Sequence, residues 1–150
     1  MARLTKYFTA SVGRDKGERF LITEMSAADG EEWALRVLFL LQHSNVDLPE
    51  GIDLKSSAGM ATLATIGIDV VQKIDFDAIK PLLDQMFECV QYVPAGAPDA
   101  VQALFKGDNC QIQEIATRLQ LRKEVLLLHV SFFDAVKSQT SAQAPGISTG

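Results

Sequence analysis

Residues 20–41, FLITEMSAADGEEWALRVLFLL, hold the join between two kinds of local structure. Phe20 and Ile22 stand two apart, with Leu21 and Thr23 between and after them, a period of two that suits a strand with one apolar face. Ser26 then offers a hydroxyl as helix N-cap, and Asp29, Glu31 and Glu32 set negative charge in the first turns, where the helix dipole favours it. From Trp33 onward the run is almost unbroken apolar. Trp33, Val37, Leu40 and Leu41 make one stripe, while Leu35, Leu38 and Phe39 cover much of the remaining surface. This predicts a helix to about His43, buried on more than one side or partly given over to an interface.

Toward the N-terminus, 5–12 (TKYFTASV) and 18–24 (ERFLITE) are rich in β-branched and aromatic residues and flank a turn with Gly13, Asp15 and Gly17. The pattern predicts a β-hairpin. A hairpin alone is marginal in water, so its apolar face must lie against the helices or against another copy.

Toward the C-terminus, 44–57 (SNVDLPEGIDLKSS) reads as a long connection. A second helix is predicted over 57–73, where Met60, Leu63, Ala64, Gly67, Val70 and Val71 recur at helical spacing. A third should begin at Asp75 or Asp77, take Pro81 near its start and run to about Tyr92 through Ile79, Leu82, Leu83, Met86, Phe87 and Val90. Residues 99–105, DAVQALF, suggest one or two helical turns. The last helix is predicted from about Cys110 to Lys137, with two competing stripes. One is Ile112, Ile115, Leu119, Leu126, Val130 and Phe133; the other is Leu121, Val125, Leu128, Phe132 and Val136. Residues 138–150, SQTSAQAPGISTG, predict a disordered tail. The expectation is a mainly α, α+β chain: one globular domain over 1–137, with a β-hairpin (1–24) packed on a bundle of about four to five helices (26–137), then a flexible tail.

Composition narrows the function classes. With 47 % hydrophobic and 22 % charged residues the chain is of ordinary globular make-up. Nineteen acidic against fourteen basic residues give a net charge of −5, which disfavours sequence-independent nucleic-acid binding, since phosphate affinity needs clustered cations. No apolar run approaches the roughly 18 residues of a membrane span, and the N-terminus lacks a signal-peptide core. The reading is of a soluble intracellular protein without nucleic-acid or membrane partners. Cys89 and Cys110, far apart in helical-looking segments, read as two reduced thiols rather than a zinc site.

Catalytic chemistry has little to draw on. His129 lies among Leu128, Val130 and Phe132, the setting of a hydrogen-bonded core or interface histidine, and His43 suits a helix C-cap. Asp84 and Glu88 lack a third ligand at metal spacing. No cofactor, metal or catalytic residue is expected.

Four segments taken together carry a resemblance: the hairpin, ITEMSAADGEEWALRVL (22–38), IKPLLDQMFECVQ (79–91) and IQEIATRLQLRKEVLLLHVSFF (112–133). They resemble tail assembly chaperones of long-tailed (siphovirus-like) bacteriophages over about residues 15–135. The resemblance implies a non-enzymatic protein of the infected host cytoplasm that coats the helical tape measure protein, keeps it soluble while tail tube protein polymerises, and is absent from the mature virion. In several such phages a ribosomal frameshift adds a second domain that recruits tube protein, and residues 138–150 would be a suitable joint for such an extension. The residues singled out for partner binding are Trp33, Phe39, Leu126, Phe132 and Phe133, with a core role for Trp33 as the plainer reading and a homo-oligomer left open. The rival expectation is a structural virion protein of the tail or head–tail connector.

Overall fold

The computed structural model describes residues 3–47 and 56–142, with side chains as far as Val130. Among these are four helices and a four-stranded antiparallel sheet, two strands being followed by three helices, two more strands and a last helix. The elements are β1 (Thr5–Thr9), β2 (Arg19–Thr23), α1 (Ala27–His43), α2 (Ser57–Lys73), α3 (Phe76–Phe87), β3 (Val90–Val93), β4 (Gln102–Ala103) and α4 (Ile115–Ala142). The α+β expectation holds. They form two compact units: a sheet unit of Met1–Gly30 with Met86–Gly150, and a helical unit of Glu31–Gln85.

In the sheet unit the strands run in the order β1-β2-β3-β4. The hairpin is present as predicted, with Phe8 opposite Phe20 and Lys6 opposite Ile22. It does not stand alone. The third helix was expected to reach Tyr92; it stops at Phe87, and Val90–Val93 forms a strand against β2, with Phe20 opposite Tyr92 and Ile22 opposite Val90. The reason is tertiary. Val90 and Val93 suit a helix stripe by spacing, but pairing with the free edge of β2 satisfies the backbone on both sides. Phe20 and Tyr92 then meet edge to face at 5.8 Å, and Phe20 and Ile22 are fully buried, each worth about 2 kcal/mol of transfer free energy. Residues 99–105 likewise supply a short strand, β4, rather than helical turns.

The β1–β2 turn holds the start of α4. Asp15, 1 % exposed, accepts hydrogen bonds from the Gln113 and Glu114 backbone N–H groups at 2.9–3.1 Å. These amides precede the helix and would otherwise lack partners. Arg14 answers from the other side, donating to the Glu114 carboxylate and the Gln113 carbonyl at 2.9 Å each. Gly13 has φ +70°, a conformation that strains any other residue, and a Cβ there would press on the Glu114 side chain, 3.1 Å from its Cγ. The anchor explains why α4 begins at Ile115 rather than Cys110. It continues to Ala142, past the expected Lys137, and the rest of the expected tail, 143–150, lies outside the described residues.

Of the two stripes drawn on α4, Leu121 and Val125 face inward at 0 % and 1 % exposure, whereas Ile115 and Leu119 are 77 % and 61 % exposed. Thr117 and His129 complete the inward row. His129 Nδ1 donates to the Val125 carbonyl and Nε2 accepts the Met25 N–H, both at 2.8 Å, which assigns the neutral imidazole tautomer. It is the hydrogen-bonded core histidine the sequence suggested.

In the helical unit α1 ends as a Schellman motif. Asn45 takes φ 58°, Val46 N–H donates to Leu41 O at 2.9 Å and Asn45 N–H to Gln42 O at 3.2 Å. The turn delivers Val46 into a cluster with Leu41, Ile66 and Ile74, flanked by Val37, Leu40, Val70 and Ile79. Helix α2 spans the predicted residues, capped by Ser56, whose hydroxyl accepts from Gly59 N–H at 3.0 Å.

Candidate partner-binding surface

Within the helical unit, a buried polar contact ties α1 to α3. Trp33 is 3 % exposed and its indole N–H donates to the Leu82 carbonyl at 3.1 Å. One turn further along each helix the surface opens into a groove of about 350 Å³ lined by Arg36, Phe39, Leu40 and His43 from α1 and by Ala78, Pro81 and Leu82 from α3. The helical period places 36, 39, 40 and 43 on one face of α1 and 78, 81 and 82 on one face of α3. Pro81 lies one turn into α3 and has no N–H, so the Asp77 carbonyl forgoes its helical bond beside the groove.

Phe39 is the large apolar side chain at the rim, 56 % exposed. Its neighbours are held by local contacts. Arg36 donates to Glu32 one turn back at 2.7 Å, and His43 Nδ1 lies 2.7 Å from the Phe39 carbonyl, where it caps the helix end. The exposed Arg36–Glu32 pair contributes little stability, roughly 0–1 kcal/mol, but keeps the guanidinium beside the groove. Such a groove suits apolar side chains from a helix at i, i+3 and i+4, with cationic groups at its margin.

The sequence-predicted residues are thus dispersed. Trp33 is an interior residue that positions α1 against α3 and is not exposed to a partner; Phe39 lines the groove; Leu126, on α4 of the sheet unit, is half-buried beside Val125. Phe132 and Phe133 lie outside the residues whose side chains are described. Leu40, Ala78, Pro81 and Leu82 were not singled out for binding, because their shared surface exists only once α1 and α3 are side by side.

Elsewhere, Arg118 and Arg122 on α4 both stack on the Phe87 ring, 4.1 and 4.4 Å from its centroid. Asp84 accepts from Lys80 at 2.6 Å. Cys89 and Cys110 are free thiols; burial, helped by Glu88, pushes the Cys89 thiol up to about 11, so it stays protonated and unreactive at neutral pH. Among the described residues no helix is long and apolar enough to cross a membrane, and no group of three or more His, Cys, Asp or Glu side chains is placed to hold a metal ion. Compared with protein-family models, with curated proteins and with solved structures, the chain matches none.

Proposed function

We propose that the protein is a tail assembly chaperone of a long-tailed bacteriophage: it binds the helical tape measure protein in the host cytoplasm, keeps it soluble while tail tube protein polymerises, and leaves before the virion is complete. The reading rests on the resemblance of the four segments, and the observation that carries it further is the α1–α3 groove with Phe39 at its rim. An amphipathic helix laid into that groove would cover apolar surface that the unit itself leaves in water. The net charge of −5 would keep a chaperone–client complex dispersed. A virion structural protein of the tail or connector is favoured by one observation, the presence of four strands instead of the expected two.

Co-expression with the tape measure protein encoded nearby, followed by pull-down and mass spectrometry of finished particles, separates the two readings. Capture of the tape measure protein with absence from particles supports the chaperone; many copies in particles would sink it. The Phe39→Ser variant should lose capture about tenfold or more while keeping the thermal midpoint of the parent, as a hot-spot truncation at an exposed site does.

A further inference from the structure

The chain treats the two outer edges of its sheet differently. At β4 the edge is short, and the Gln111 side chain covers it: Nε2 donates to the Ala103 carbonyl at 3.2 Å and Oε1 accepts the Phe105 N–H at 2.9 Å. At β1 the even-numbered residues bond to β2, with Ala10 N–H on Glu18 O and Glu24 N–H on Leu4 O, both at 2.9 Å. Antiparallel alternation then turns the N–H and C=O of Thr5, Tyr7 and Thr9 outward, and no described residue bonds to them. Devices that blunt an edge strand are nearly absent. There is no Pro, the register with β2 runs unbroken from Thr5 to Thr9, and the one charge, Lys6, is engaged by Glu124 of α4. Leu4, Tyr7 and Val12, at 58 %, 54 % and 48 % exposure, flank this edge with apolar surface.

We infer that the β1 edge is an interface for a second copy of this chain, the two β1 strands pairing antiparallel about a two-fold axis at Tyr7 so that one sheet runs through both molecules. The strand is complementary to itself in that register. Tyr7 faces Tyr7 of the second copy, Thr5 faces Thr9, and every outward N–H and C=O finds a partner, about six backbone hydrogen bonds in all. Lys6 falls opposite Phe8, so no like charges meet, and Leu4 comes to lie across from Ala10. Centring the axis on Lys6 would set two ammonium groups face to face, and centring it on Phe8 would carry Thr5 beyond the strand end. Paired aromatic and Thr–Thr positions are those that favour cross-strand association. The pairing concerns the sheet unit and does not depend on the chaperone reading; its failure would leave the α1–α3 groove unaffected.

The test uses the full chain in light-scattering chromatography and sedimentation, together with cysteine cross-linking in a Cys110→Ser background. The expected result is a concentration-dependent two-chain mass. Tyr7→Lys, which sets like charges across the axis, should raise the dissociation constant about tenfold while circular dichroism stays that of the parent; the thermal midpoint should fall only slightly, since the variant also gives up the Arg19 guanidinium stacked 4.9 Å from the Tyr7 ring centroid. Under mild oxidation Tyr7→Cys should cross-link to itself, because a directly opposed pair lies within disulfide reach. Thr5→Cys should cross-link only when mixed with Thr9→Cys. A single-chain mass at the highest soluble concentration would overturn the inference. So would a dimer indifferent to Tyr7→Lys, or Thr5→Cys alone cross-linking as readily as Tyr7→Cys.

Discussion

The sheet unit and the helical unit bury their cores to different depths. Among the described residues the largest fully buried side chains, including Phe20, Ile22, Leu121 and His129, belong to the sheet unit, where polar locks at Asp15 and His129 join strand segments to helix. The cluster of the helical unit, Leu41, Val46, Ile66 and Ile74, keeps 4–8 % exposure, and α2 presents Ile68 and Val71 to solvent at 60 % and 82 %. A deep core with directional hydrogen bonds selects one arrangement. A shallow core of aliphatic side chains leaves apolar surface over for a partner and opens at lower free energy.

Leu121→Ala attacks the deep core and should have the largest effect, about 4 kcal/mol by urea denaturation, since the side chain is 0 % exposed and its cavity has no route to solvent. Asp15→Ala should cost about 2–3 kcal/mol, because it removes the buried acceptor of the Gln113 and Glu114 amides and leaves them without that partner. Thermal melting checks it, and Asp15→Asn should recover part of the loss. Ile66→Ala in the helical unit should cost only about 2 kcal/mol, its cavity lying at the edge of the cluster. A loss equal to that of Leu121→Ala would remove the distinction between the units, and hydrogen exchange faster in α2 than in β2 would sharpen it.

The smallest expected effect is one of pH. The Arg14 hydrogen bond holds the exposed Glu114 carboxyl below its ordinary value. A carboxyl depressed in the folded state contributes stability above its unfolded pKa and loses it as pH falls through the folded one. The urea midpoint should therefore slope downward on acidification below about pH 4.5, and Arg14→Gln should flatten that part of the slope. An unchanged slope in Arg14→Gln would show that Glu114 gains nothing from the pair.

The hairpin, α1 and α2 were legible from residues 5–73 because their signals are local. Gly13 and Gly17 mark the turn, Ser26 precedes α1, and residues 57–73 keep one helical period from end to end. In the candidate surface, Phe39 was legible as an apolar residue off the main stripe of α1. Its groove partners Pro81 and Leu82 were not, since nothing in α3 alone says which face meets α1. The sequence favours a core role for Trp33 over a partner anchor, and its burial and its bond to the Leu82 carbonyl place it in the interior.

Local chemistry thus dictated where the chain turns and where most of its helices begin: propensity, capping hydroxyls and glycine act over a few residues. Tertiary structure decided the rest. Val90–Val93 became a strand because β2 offered an unpaired edge, and a backbone hydrogen bond to that edge outweighs a weak helical preference. Leu121 and Val125, not Ile115 and Leu119, turned inward because Asp15 fixes the start of α4 and His129 binds Met25 N–H. Two stripes of similar hydrophobicity cannot be ranked by burial gain alone, so directional polar contacts between distant segments made the choice.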